Sequence, residues 1–161
     1  MRQLNRLAPF PCIEGIVEHG FGRGSKLLGY PTANLNSASS ASVSSFLSST
    51  ECRDGVYIGW VTIPYFRSAF KAAISVGINP TFDDSKVRLL EAHLLDYTGP
   101  DFYDMNVRIV LCAHIRDSLK FTSIQGLTDE IHHDCEIART WLENDMHFSK
   151  TRDHPWLRVP S

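Results

Sequence analysis

Between Asn106 and Arg116 the chain alternates with a period of two: Val107, Ile109, Leu111, Ala113 and Ile115 share one face, and Arg108, Cys112, His114 and Arg116 share the other. This pattern predicts a half-buried strand, which needs neighbours in a sheet with one face on a core. Four more segments, Cys12 to His19, Gly55 to Ile63, Phe70 to Val76 and Val87 to Asp96, read as strands. In each, apolar and β-branched residues cluster or alternate over a short run bounded by Gly, Pro or Asp.

After the last strand the period lengthens. Ile124, Leu127, Ile131, Cys135, Ala138 and Leu142 recur at three- and four-residue steps and define one face of a helix. Thr122, three residues before Gln125, predicts a capping box that starts it. From Asn36 to Thr50 eight of fifteen residues are serine, which predicts a mobile surface loop with too little apolar surface to offset ordering. The tail over 143–161, with Pro155 and Pro160, reads as irregular. Short strands followed by one amphipathic helix predict a mainly β fold, a small antiparallel β-barrel with a C-terminal α-helix, in a single domain over 1–161.

With 43% hydrophobic and 21% charged residues the chain suits a folded domain in water, and a net charge of −2 offers no general attraction to polyphosphate, so no nucleic-acid partner is expected. No run approaches the roughly 20 apolar residues of a membrane helix, and Met1 to Phe10 lacks the apolar run of a secretory signal. The expectation is a monomer in the cytoplasm, without a membrane partner. Cys12, Cys52, Cys112 and Cys135 form no CxxC pair, which argues against a zinc ribbon and for reduced thiols.

Three segments could carry chemistry. In Gly20-Phe21-Gly22-Arg23-Gly24-Ser25-Lys26 the glycines let backbone N–H groups approach a phosphate that Arg23 and Lys26 could neutralise, although a glycine-rich hairpin turn explains the same residues. In Pro31-Thr32-Ala33-Asn34-Leu35 the residues Thr32 and Asn34 point the same way in an extended chain and offer hard oxygen donors suited to magnesium; a turn bonding its own backbone is the alternative. Glu91, inside the otherwise apolar Leu89-Leu90-Glu91-Ala92-His93-Leu94-Leu95, is either paired or functional, since an isolated carboxylate is costly to bury. A general base accepting a hydroxyl proton is the functional reading, and a strand-edge salt bridge the structural one. His93 shares its face and reads as structural. Asp101-Phe102-Tyr103-Asp104 reads as a turn, His132, His133 and Glu136 as a solvated helix face, and Arg116 as a surface residue.

Taken in order and at this spacing, the glycine run, Leu28-Gly29-Tyr30-Pro31-Thr32-Ala33-Asn34-Leu35, Gly55-Val56-Tyr57, Ser75-Val76-Gly77-Ile78-Asn79-Pro80, Glu91-Ala92-His93-Leu94-Leu95, Asp101-Phe102-Tyr103 and Arg116 resemble the riboflavin kinases over about residues 11–142. The resemblance implies a six-stranded antiparallel Greek-key barrel with a terminal helix. It implies transfer of the γ-phosphate of ATP to the terminal ribityl hydroxyl of riboflavin, giving FMN and ADP, with Mg2+ or another divalent cation. Gly20, Gly22, Arg23, Gly24 and Lys26 would then lie along the ATP phosphates, Thr32 and Asn34 would hold the metal, and Glu91 would be the base. Phe102, Tyr103 and Arg116 would border the flavin, with Pro31 and Asn79 also in the binding set. Asp104 departs from the family's usual glycine, and Asp117-Ser118 from its usual proline and acid. A non-catalytic flavin- or nucleotide-binding barrel would need no base at Glu91. An oligonucleotide-binding barrel would need a continuous basic groove, which the interleaved acidic residues interrupt.

Overall fold

The computed structural model describes residues 4–19, 30–36, 38, 40–78 and 88–158. Its strands are β1 (Asn5–Arg6), β2 (Cys12–Ile16), β3 (Thr32–Leu35), β4 (Gly55–Thr62), β5 (Phe70–Ile78), β6 (Arg88–Leu94) and β7 (Asn106–Arg116). Helix α1 (Ala41–Ser48) lies between β3 and β4; α2 (Ile124–Asn144) and α3 (Met146–Lys150) follow β7. All seven strands join one antiparallel sheet in the order β1-β7-β4-β5-β6-β3, with β2 also on β7. The steps from β3 to β4 and from β6 to β7 skip neighbours, as Greek-key connections do. The far edges meet at an isolated bridge, where Glu18 N donates to Asn34 O at 2.9 Å. The expected barrel is therefore an incompletely closed sheet, and its seventh strand is the two-residue β1.

Two apolar clusters explain the curvature. Inside the sheet pack Ala33, Leu35, Ala72, Ile74, Leu90, Ala92, Leu94, Ile109 and Leu111; outside, Ile58, Trp60, Ala73, Val110, Cys135, Ala138 and Leu142 join the sheet to α2. Each large side chain fully buried this way contributes about 1.5–3 kcal/mol. The expected half-buried β7 is instead buried almost throughout, because α2 and the tail cover its outer side. Its alternation is also broken: the register with β4 shifts between Val56 and Tyr57 and again between Ile58 and Gly59. Ala113 and Ile115 consequently belong to the outer cluster and not with Val107, Ile109 and Leu111.

Over Ala41–Ser48 the serine-rich segment is a helix and not a loop. Ser40 caps α1 by accepting from Val43 N at 3.2 Å, and its hydroxyl also donates to Glu14 O. Val43 and Leu47, four residues apart, are buried against the sheet. Two well-spaced apolar residues and a cap are enough here, and Ser48 donates back to Ser44 O at 2.7 Å. Helix α2 begins one residue later than expected: Ser123, not Thr122, accepts from Gly126 N at 3.0 Å, while Gln125 reaches forward to Asp129 at 2.7 Å. The tail is ordered too, through residue 158. Asp145 caps α3 and pairs with Arg6, interactions that hold its carboxyl well below the usual range at about 2, and Phe148 and Leu157 are buried.

All four cysteines are free, and burial pushes the Cys112 and Cys135 thiols up to about 12, so neither is a thiolate near neutral pH. Among the described residues no helix is long and apolar enough to cross a membrane.

Candidate active site

The site follows from strand alternation. Ala33 and Leu35 of β3 face inward, which turns Thr32 and Asn34 outward; Leu90, Ala92 and Leu94 of β6 do the same for Glu91 and His93. Pairing then sets them side by side. Asn34 stands opposite Glu91, which stands opposite Ser75 of β5; in the next row Thr32 faces His93, which faces Ala73. Directly opposed residues place their Cβ atoms roughly 4.5–5.5 Å apart, so an amide, a hydroxyl and a carboxylate share one patch.

The Glu91 side chain is 24% exposed, and among the described residues its ion-pair contact is with His93 Nε2, at 3.7 Å from Oε1. That is too long for a hydrogen bond. The strand-edge salt bridge with Lys or Arg that would account for Glu91 structurally is not present among these residues. Ala73 belongs to the cluster beneath α2, so the row of Thr32 and His93 runs from the sheet edge toward that helix.

Helix α2 holds both flanks. Tyr30, just before β3, packs on the outer cluster and shares a 3.0 Å hydrogen bond between its hydroxyl and His132 Nδ1. At the end of β7, Arg116 donates from Nε and Nη2 to the two carboxylate oxygens of Asp134, at 2.9 and 2.7 Å, and Glu130 lies 3.7 Å from its Nε. Arg116 is thus no isolated surface residue: the two register shifts in β7 cancel by its end, so it lies on the same outer side as Val110, facing α2. His132 is exposed but not merely solvated.

The turn after residue 100 packs on the segment that follows β2, where Asp104 N donates to Val17 O and Glu18 N to Asn34 O, each at 2.9 Å. Phe102 packs inside the sheet, its ring edge-on to Tyr97 at 5.2 Å, and so supports the turn. Tyr103 is half-buried and stacks on His19 at 4.3 Å, and His19 Nε2 lies 3.1 Å from Asp104. Asp104 has φ +65°, the left-handed region, where glycine is unstrained and aspartate tolerated. Asp104→Gly is expected to leave stability within about 1 kcal/mol, whereas Asp104→Val should cost about 1–2 kcal/mol more. Urea unfolding of the two variants checks this.

Of the residues proposed from sequence, Thr32, Asn34 and Glu91 converge. Pro31 leads into β3 and accepts from Leu94 N at 2.9 Å; Tyr103 lies against His19, and Arg116 lies at the end of β7 against Asp134. Gly20, Gly22, Arg23, Gly24, Lys26 and Asn79 lie outside the described residues. Ser75, Tyr30, His132 and Asp134 were not foreseen as parts of the site. Two clefts, of about 370 Å³ beside Trp60 and Lys150 and about 450 Å³ beside Phe10 and Phe148, lie away from Glu91 and hold none of these residues.

Residues 8–142 match the family model described as Flavokinase: Riboflavin kinase. A riboflavin kinase of Pyricularia oryzae is 37% identical over 153 residues, covering 84% of this chain and 73% of its own length. The human riboflavin kinase is 31% identical over 149 residues, covering 92% and 91% respectively. The crystal structure of riboflavin kinase from Trypanosoma brucei superposes with a TM-score of 0.69 at 27% identity, over 93% of this chain and 90% of that one.

Proposed function

This chain belongs to the riboflavin kinase family, which phosphorylates riboflavin to FMN with ATP, and on that premise we propose that the transfer takes place at the patch of Thr32, Asn34 and Glu91. The observation that carries the reading is the pairing of Asn34 with Glu91, which sets an oxygen donor for a metal directly beside a candidate base.

Glu91 accepts the proton of the terminal ribityl hydroxyl as that oxygen bonds to the γ-phosphorus, and the bond to the β–γ bridging oxygen breaks to release ADP. Such a transfer needs alignment and charge neutralisation more than covalent help. The donor set suits Mg2+: one hydroxyl and one amide oxygen face outward on an edge strand, and among the described residues no group of three or more His, Cys, Asp or Glu converges into a cage. A cation held so sparsely keeps water and phosphate oxygens in its shell. When bound it neutralises charge on the transferring phosphate. Arg23 and Lys26 of the glycine run are assigned the neutralisation of the polyphosphate, and Pro31, Asn79, Tyr103 and Arg116 the binding of substrate, as the family resemblance implies. We place the protein in a reducing compartment, the cytoplasm, a reading supported by its four free thiols, and take it to act as a monomer.

Conversion of riboflavin to FMN, resolved by chromatography with purified protein and ATP, is expected with magnesium and to fall to background when the metal is chelated. FMN formation that survives chelation would remove Thr32 and Asn34 from the role given them.

A further inference from the structure

His93 is buried: its side chain is 6% exposed, yet Nε2 has no hydrogen-bond partner among the described residues. Buried polar atoms are normally paired, and an orphan calls for an explanation. His114 has an orphan nitrogen too, but its other nitrogen lies 3.2 Å from the Asp54 carbonyl, which gives that ring an anchor. The orphan atom of His93 instead lies 3.7 Å from Glu91 Oε1.

Strand geometry accounts for the approach. Residues 91 and 93 are two apart on β6 and project from the same face. His93 sits between Thr32 and Ala73, inside the sheet's span, which restricts its ring. Glu91 stands on the more exposed side with a longer, freer side chain. A movement of about half an ångström or slightly more by the carboxylate brings the pair into hydrogen-bond range.

We propose that His93 is a positioning residue for Glu91, its Nε2–H holding Oε1 in the substrate-bound enzyme so that Oε2 is aimed at the ribityl hydroxyl. This rests on Glu91 being the base. His93 touches neither substrate; it removes rotamers of Glu91 that face away from the hydroxyl. Misplacing a reacting group by about 1 Å costs up to about a hundredfold in rate.

The test is a set of steady-state measurements on folded variants, with folding checked by circular dichroism and riboflavin fluorescence. His93→Phe keeps the ring and loses the donor; kcat should fall about 10- to 100-fold while KM for ATP and riboflavin stays within about threefold. His93→Gln carries an amide N–H to nearly the same place and should recover most of that loss, whereas His93→Asn, too short, should not. In a Glu91→Gln background, adding His93→Phe should cost nothing further. An unchanged kcat in His93→Phe, failure of His93→Gln to recover more than His93→Asn, or an equal loss in both backgrounds would each overturn the proposal. Should His93→Phe not fold, the Gln and Asn variants decide the matter between them. Near-normal turnover in Glu91→Gln alone marks a different failure, that of the base itself.

Discussion

Glu91→Gln is expected to bind riboflavin and ATP about as well as the native protein while turnover falls by about 10²- to 10⁴-fold, the usual contribution of a general base. Glutamine has nearly the same shape, so the β3–β6 pairing that sets residue 91 beside Asn34 should survive. What it loses is the ability to take a proton. The stability change should be small, within about 1 kcal/mol, because no Lys or Arg among the described residues pairs with this half-buried carboxylate. Fluorescence titration of riboflavin and single-turnover FMN formation separate binding from chemistry. Weakened riboflavin binding with the chemical step intact would make Glu91 a binding residue.

Which parts of this were legible in the sequence depends on the range of the forces involved. The outward-facing pairs Thr32 with Asn34 and Glu91 with His93 are written in local alternation, since Ala33, Leu35, Leu90, Ala92 and Leu94 announce the inward face. Their meeting across β3 and β6 is a matter of long-range register, and only the resemblance brought them together beforehand. Strand β7 was misread at its end because a bulge leaves no mark in a run where both faces are apolar: Ala113 and Ile115 look equally at home on either side. The serine-rich segment misled because composition averages away position. Val43 and Leu47 are few, but they are one helical turn apart and Ser40 caps them. Asp134 was readable and missed. It falls beside Cys135 on the stripe of Ile131, Ala138 and Leu142, and a carboxylate on a buried stripe demands a cation.

That cation is Arg116, and breaking the pair is expected to have the largest effect on stability. Asp134 is 2% exposed and the Arg116 side chain 10%, so Asp134→Ala leaves a guanidinium that cannot shed its charge in a place largely closed to water. Removing one partner of such a pair typically costs about 3–5 kcal/mol. Glu130, 3.7 Å from Arg116 Nε, can close part of the gap and should hold the loss near the lower end, about 3 kcal/mol. In urea this appears as a lowered midpoint with an unchanged slope. A midpoint equal to that of the native protein would mean the pair contributes nothing net. Replacing both partners together, Arg116→Met with Asp134→Leu, removes the stranded charge and should recover most of the stability. Because α2 also holds Tyr30 at the entry to β3, the double variant separates two roles for Arg116. If Arg116 only anchors the helix, the restored protein regains riboflavin turnover; if it also borders the flavin, stability returns and riboflavin affinity does not.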